Sequence, residues 1–183
     1  SFLFMRIHKD GEDKRFRTIK PSATQFFMTW TLQGLWVSLC SMCALTAISS
    51  DSGVVMNALF YIGLGLFLYG FITEVIADKQ KTAFRSIPEN RDKFITSGLW
   101  AKSRHPNFFG EIVLWSGIAV MSFSSLNGLQ YLTLISPLFT YFLLVYVSGV
   151  RMLEDRADKK WGHDEDYIKY KSETPVLLIN FMK

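Results

Sequence analysis

The sequence predicts an all-α, polytopic integral membrane protein, and two observations lead to this prediction. Hydrophobic residues make up 49% and aromatic residues 15% of the 183 residues, which is rich for a soluble domain. They are grouped in long runs between compact charged segments, and four runs reach the roughly 20 residues that cross a bilayer. Such runs, nearly free of charge, are atypical of buried core helices. We predict one membrane-embedded domain, 1–183, with spans at about 25–48, 54–76, 108–126 and 129–150.

The basic residues predict the orientation of these spans. All 20 Lys and Arg lie in residues 1–24, 77–107 and 151–183, and none lies in the short loops near 48–53 and 124–128. Four spans alternate sides, so the three basic segments share one face, which the positive-inside rule makes cytosolic. The net charge of +4 does not indicate a nucleic-acid partner, because the basic residues flank spans and mix with acids. We expect a bacterial inner membrane or the endoplasmic reticulum.

The first segment and the first span contain few residues that indicate catalysis or ligand binding. The chain begins SFLFMR without a Met, and this apolar start resembles the end of an earlier span, so we expect a fragment that lacks N-terminal helices. Lys20-Pro21-Ser22 predicts a break before the first span. Cys40 and Cys43 fit small residues of a membrane helix, because a thioredoxin-type motif needs a soluble strand-to-helix turn. We predict no metal site.

The second span contains Gly63, Gly65 and Gly70. A dinucleotide fingerprint would need a soluble βαβ unit around these glycines, so they predict close packing between helices. Nothing breaks the helix through TEVIADKQKTAFR, and we expect it to continue beyond the membrane to about Arg85. Pro88 then begins a loop.

The stretch RHPNFFGEIVLW begins the third span and places a carboxylate inside it. Pro106 suits the first turn of a helix, so Asn107, Glu111 and Trp115 follow at i, i+4 and i+8 on one face. Acidic residues within spans are costly and mark functional sites. The alternative for Glu111 is a residue that snorkels or forms an ion pair near the interface.

Two residues ahead of this helix, Arg104 and His105, lie near the positive end of its dipole. That position favours an anionic group. Gly110, one turn into the helix, permits close approach of a backbone or a ligand.

Two further clusters lie on the same predicted face. Glu74, Asp78 and Arg85 share one side of the extended second helix, although a solvated helix end has the same pattern. After the fourth span, which Pro137 should kink, a charged segment supplies the third cluster: Arg151, Glu154, Arg156, Tyr167, Tyr170 and Lys171. An amphipathic surface helix with i, i+4 ion pairs is the alternative. The closing TPVLLINF is too short to span and is expected to return to the membrane surface.

Together the three clusters predict a cytosolic pocket of Arg, Tyr, Asn and Glu that opens toward the bilayer. Such a pocket suits a cytosolic, phosphate-bearing cofactor and a lipid substrate. The candidate cofactor-binding residues are Glu74, Asp78, Arg85, Arg104, His105, Asn107, Glu111, Arg151, Arg156, Tyr167 and Tyr170.

The stretch RHPNFFGEIVLW resembles the C-terminal domain of the steroid 5-alpha-reductase family (3-oxo-5-alpha-steroid 4-dehydrogenase), particularly its bacterial-type branch. The stretches EVIADKQKTAFR and RMLEDRADKKWG, with DYIKYK and LLINF, support the resemblance from about residue 60 onward. It implies a helical membrane oxidoreductase of lipid metabolism that uses NADPH to reduce a carbon–carbon double bond conjugated to a ketone, in a steroid-like or other lipid.

The resemblance also implies roles for particular residues. Asp78, Arg85, Asn107, Glu111, Arg151 and Tyr167 would line the NADPH site, with Asn107 and Glu111 near the nicotinamide and the arginines on the phosphates. The family's ketone-polarising residues lie on earlier helices, so the catalytic acid is expected outside this chain, and Glu111 is the best candidate within it. Asn180 stands where the family usually has a closing Pro.

Two other classes stay open. Isoprenylcysteine- and phospholipid-type methyltransferases, which use S-adenosylmethionine, share an RHP element followed by a glutamate and a Gly–Tyr–Tyr pattern, as in Glu154, Gly162, Tyr167 and Tyr170. The stretch NFFGEIVLW, with Glu111 four residues after the asparagine, favours the reductases. A membrane scaffold without enzymatic activity would instead direct its Arg, Asn and Glu side chains toward lipid headgroups.

Overall fold

The computed structural model describes residues 8, 11, 16–51 and 53–180. These residues form helices and no strand, and four helical segments are long and apolar enough to cross a membrane. The predicted fold class is therefore confirmed, and the chain has the character of a membrane protein. The helices are α1 (Phe16–Ile19), α2 (Ala23–Ile48), α3 (Ala58–Ser86), α4 (Pro106–Ser122), α5 (Ile135–Phe142), α6 (Val150–Trp161) and α7 (Glu165–Glu173).

The chain divides into two compact units, Ser1–Leu39 and Cys40–Lys183. In the first unit the rings of Phe16 and Trp30 are stacked with centroids 6.1 Å apart. The apolar residues that were expected to end an earlier span, 1–5, lie outside the described residues. The candidate site lies wholly in the second unit.

Helix α3 begins four residues later than predicted. Residues 54–57 precede it in a non-helical conformation, because Val55 N–H donates to Ser125 Oγ at 2.9 Å. Asn57 then caps the helix by accepting from Phe60 N–H at 3.2 Å. The far end at Ser86 agrees with the expected extension of this helix through Arg85.

Helices α3 and α4 pack with their backbones in close approach. A methyl group on Gly70 would lie 2.5 Å from Gly110 O, and one on Gly63 would lie 2.6 Å from Gly117 O. The predicted role in close packing is confirmed for Gly63 and Gly70. It is wrong for Gly65, which has nothing within 4 Å of its Cβ position. This close approach determines how near the side chains of the two helices can come at the site.

The fourth span is irregular. A 3₁₀ stretch, Gly128–Leu134, leads into α5, and a π-helical turn, Leu143–Val147, follows it. Pro137 is the third residue of α5, and the 3₁₀ stretch runs directly into this helix. A break in the helix comes at Ser148 and Gly149, directly before α6.

The two cysteines are buried between spans. Cys40 Sγ lies 3.3 Å from Thr140 Oγ1, and Ser136 Oγ donates to the Cys40 carbonyl. Both cysteines are free thiols. They pack as small residues of a membrane helix, as the sequence predicted.

Candidate functional site

The turn ahead of α4 is held on α3 by three contacts. Gly98 adopts φ +63°, and a methyl group there would lie 2.6 Å from the Gln80 side chain. Leu99 N–H donates to Gln80 Oε1 at 2.9 Å, and Trp100 Nε1–H donates to Ala77 O at 3.0 Å. Glycine suits Gly98 because L-residues with a Cβ rarely adopt positive φ. These contacts fix the chain that leads to Arg104.

The closing strap, which we define as residues 174–180, runs beside this chain. Arg104 N–H donates to Pro175 O at 2.9 Å, and His105 N–H donates to Val176 O at 3.0 Å. Pro106, fully buried, then begins α4, as the sequence predicted. The strap therefore lies against the RHP element, a pairing that was not expected.

Arg104 and His105 meet one carboxylate. Arg104 Nη1 lies 2.8 Å from Glu154 Oε2, and His105 Nε2 lies 2.7 Å from Glu154 Oε1. The side chains of Arg104 and His105 are 11% and 8% exposed. Arg104 Nε is buried and has no hydrogen-bond partner in the part of the chain that the structure describes. Glu154 thus pairs with Arg104, is hydrogen-bonded to His105 and lies 3.8 Å from Lys171 Nζ.

Two tyrosines of α7 are also fixed by hydrogen bonds. Tyr167 donates to Asp158 Oδ1 at 2.9 Å, and Tyr170 donates to Trp100 O at 2.7 Å. Burial raises the pKa of both phenols above their ordinary value, and for Tyr167 the nearby Asp158 adds to the shift. Both phenols therefore stay neutral hydrogen-bonding groups at physiological pH. The ring of Phe94 packs on both, with centroids 5.3 and 5.7 Å away.

These groups surround a cavity of about 690 Å³, within the range of about 300–1,000 Å³ that small-molecule sites occupy. Seven Lys and Arg side chains line it, with a single carboxylate, Glu154. Its basic residues are Lys81, Arg85, Arg91, Lys93, Arg104, Arg156 and Lys160, and its aromatic residues are Phe84, Phe94, Trp100, Trp161, Tyr167 and Tyr170. We call it the basic cavity.

A second group of side chains lies where α3 and α4 pack together. Asn107 is within hydrogen-bonding reach of Asp78, and Glu111 is within reach of Trp115 one turn along α4. Glu74 is close enough to Glu111 for the two carboxylates to interact. We call Glu74, Asp78 and Glu111 the acidic cluster. Among the described residues, the buried Asn107 Oδ1 has no hydrogen-bond partner.

Residues 1–174 match the model of a family described as "Protein of unknown function (DUF1295)". The chain belongs to this family. It is 30% identical over 116 residues to the probable O-methyltransferase ustE of Ustilaginoidea virens, covering 55% of this chain and 41% of that protein. It is 30% identical over 109 residues to the Delta(14)-sterol reductase of Ascobolus immersus, covering 49% of this chain and 23% of that protein. The chain thus spans less than half the length of either relative, and no solved structure matches it.

The structure of this DUF1295 chain separates the candidate residues into three sets. Six line the basic cavity: Arg85, Arg104, His105, Arg156, Tyr167 and Tyr170. Four lie at the contact of α3 and α4: Glu74, Asp78, Asn107 and Glu111. Arg151 is exposed and does not line the cavity. Lys81 connects the first two sets, because it lines the cavity and interacts with Asp78.

Sequence reasoning did not select Lys81, Arg91, Lys93 and Lys160 as cofactor ligands, although all four line the cavity. Lys81 had a usable signal, since it lies four residues before Arg85 on the same helical face. Arg91 and Lys93 lie in the irregular segment after α3, which has no period that would predict where their side chains point.

Proposed function

We propose that this chain forms the cofactor-binding part of a membrane oxidoreductase that uses NADPH. The proposed reaction reduces a carbon–carbon double bond conjugated to a ketone in a steroid-like or other lipid, as in the steroid 5-alpha-reductase family. The observation that carries the proposal is the charge of the basic cavity: seven Lys and Arg side chains line it with one carboxylate, Glu154. Arg104 pairs with Glu154, and Lys160 pairs with Asp92 outside the lining, so the other five of the seven cationic side chains have no ion pair among the residues that the structure describes.

This charge balance favours NADPH over S-adenosylmethionine. NADPH carries a pyrophosphate and a further phosphate on its adenosine ribose, and arginine binds phosphate oxygens in a bidentate manner. S-adenosylmethionine carries a sulfonium and an ammonium group against a single carboxylate, so an excess of cationic side chains repels it. The aromatic residues around the cavity offer faces on which adenine can stack.

The unpaired polar atoms also fit NADPH. A buried donor or acceptor without a partner is costly, and such atoms lie at the site among the residues that the structure describes, notably the donor Arg104 Nε and the acceptor Asn107 Oδ1. A phosphate oxygen would accept from Arg104, and the carboxamide N–H of nicotinamide would donate to Asn107. Glu111 and Trp115 continue the same face of α4 and would orient the ring.

These positions suggest separate roles for the cofactor and for the side chains that hold it. When bound, NADPH would supply the hydride that adds to the β-carbon of the conjugated ketone, and the catalytic acid expected on the family's earlier helices would supply the proton for the α-carbon. The cationic side chains hold the phosphates, and Asn107 with Glu111 holds the carboxamide, so that the reactive ring faces the membrane-embedded part of the chain. The lipid would arrive from the bilayer, and the positive-inside rule puts the cofactor on the cytosolic face, in a bacterial inner membrane or the endoplasmic reticulum.

One observation favours a second function. The similarity to the probable O-methyltransferase covers slightly more of this chain than the similarity to the sterol reductase. In that case the chain would bind S-adenosylmethionine, with Glu154, Tyr167 and Tyr170 as contacts. Glu154 already accepts from His105 and pairs with Arg104, which leaves it poorly available to neutralise a cationic ligand.

A thermal-shift titration tests the two functions directly. The detergent-solubilised protein is melted with NADPH, NADH and S-adenosylmethionine in parallel. A ligand that binds only the folded state at 100 times its Kd stabilises by about 2.7 kcal/mol. We expect NADPH to raise Tm most, and added salt to reduce its effect because screening weakens phosphate binding. A rise with S-adenosylmethionine alone would refute the reductase proposal and support the methyltransferase.

A further inference from the structure

The closing strap contacts the RHP element through backbone and side-chain hydrogen bonds. The N–H groups of Arg104 and His105 donate to carbonyls of the strap, and Asn180 N–H donates back to Lys102 O at 3.0 Å. Lys102, Arg104 and His105 are thereby engaged at the point where the chain enters α4. Short loops of this kind have no hydrogen-bond ladder of their own, so such partners determine their conformation.

Ser103 lies at the centre of this contact and is fully buried. Its hydroxyl donates to Leu177 O at 2.9 Å and accepts from His105 N–H at 3.3 Å. The side chain therefore joins the strap to the backbone on which Arg104 and His105 are carried. Removal of this hydroxyl would leave a buried carbonyl and an N–H with fewer partners, which is destabilising locally.

Arg104 is held from two sides. Its backbone N–H bonds to the strap, while its guanidinium pairs with Glu154 across the cavity wall. With both ends fixed, the side chain keeps its place in the cavity lining, and its buried Nε has no partner among the described residues. An arginine positioned before its ligand arrives loses less conformational freedom on binding, so the geometry of the backbone at this point affects affinity for an anion.

We propose that Ser103 and the closing strap position Arg104 for the phosphates of the cofactor. Ser103 is a positioning residue that acts through Arg104 and does not touch the ligand. The affinity of the basic cavity thus depends on the carboxy-terminal segment of the chain, more than 70 residues away in sequence from Ser103. The ligand in this inference rests on the proposed function, whereas the anchoring by the strap does not.

Hydrogen exchange without any ligand tests the anchoring. Ser103→Ala should accelerate exchange of the Arg104 and His105 amides in the detergent-solubilised protein. The matched control is Ser125→Ala, which removes an equally buried hydroxyl that accepts from Val55 N–H. This control should leave the two amides unchanged. If their exchange in Ser103→Ala equals that of the wild type, the strap does not hold the RHP element through Ser103, and the proposal is wrong.

A double-mutant cycle on NADPH affinity tests the action through Arg104. We expect Ser103→Ala to weaken NADPH binding about five- to tenfold in the wild-type background, in line with one lost hydrogen bond. In the Arg104→Ala background the same change should weaken binding less than about twofold, because the residue through which it acts is gone. Equal losses in both backgrounds would show a general effect on stability and overturn the positioning role.

The failure of this inference differs from the failure of the proposed function. A wild type that binds NADPH but shows no coupling between Ser103 and Arg104 refutes the inference alone. A wild type that binds S-adenosylmethionine in place of NADPH refutes the proposed function and, with it, the phosphate ligand of this inference. The hydrogen-exchange experiment then still decides whether Ser103 and the strap anchor Arg104.

Discussion

Replacement of Arg104 by alanine is the perturbation that bears most directly on the proposed function. The guanidinium faces the basic cavity, its side chain is 11% exposed, and its Nε has no partner within the described chain. A hydrogen bond to a charged group contributes about 1.5–3 kcal/mol, and 1.4 kcal/mol corresponds to a tenfold change in Kd. Arg104→Ala should therefore weaken NADPH binding by about tenfold to 100-fold.

The assay is a titration of NADPH against the purified protein in detergent, followed by its fluorescence or by calorimetry. Arg151→Ala is the matched control, because it removes the same side chain from an exposed position that does not line the cavity. We expect a change of less than about twofold for this control. An unchanged Kd in Arg104→Ala, or an equal loss in Arg151→Ala, would refute the assignment of the phosphates to the basic cavity.

Three further predictions concern packing and orientation. Gly70→Ala should lower the free energy of unfolding by about 1–3 kcal/mol, since a Cβ would lie 2.5 Å from Gly110 O and overpacking is destabilising. Gly65 faces open space, so Gly65→Ala should leave Tm unchanged. Equal Tm values for the two variants would contradict the close packing of α3 on α4. Gly98→Ala should cost about 1–2 kcal/mol because of its positive φ, and a thermal melt measures this loss. Glu111→Ala should weaken NADPH binding at unchanged Tm while the 2′-phosphorylated adenosine fragment binds as before; equal weakening of the fragment would place Glu111 elsewhere than at the nicotinamide.

The four spans and the start of α4 could be predicted from the sequence because both depend on local signals. Long apolar runs identify spans in any context, and Pro106 is compatible with a helix only near its first turn. The boundary at residue 54 was wrong because Val55 bonds to Ser125, some 70 residues away. Hydropathy depends only on the residue types along the chain and not on such a contact, so the predicted span extended into the preceding loop.

Of the candidate site, the sequence could predict the part that depends on local signals. Arg104, His105 and Asn107 lie next to a recognisable helix start, so their proximity followed from the chain itself. The pairing of the RHP element with the closing strap joins segments that are distant in sequence, and a single sequence gives no register for it. The family resemblance included Arg151, but this residue is exposed and does not line the basic cavity.

The separation of charge at the site gives a physical reason for a carboxylate inside a membrane helix. The acidic cluster lies at the contact of α3 and α4, and Lys81 stands between it and the basic cavity. Phosphate groups are attracted to the cationic side chains of the cavity and find no such partner among the three carboxyl groups of the acidic cluster, so a molecule with phosphates at one end and an uncharged amide at the other has one favourable orientation. On the proposed function, Glu111 would contribute to catalysis by excluding the reversed binding mode. The resulting orientation of the nicotinamide toward the lipid would offset the cost of placing a carboxyl group inside a membrane helix.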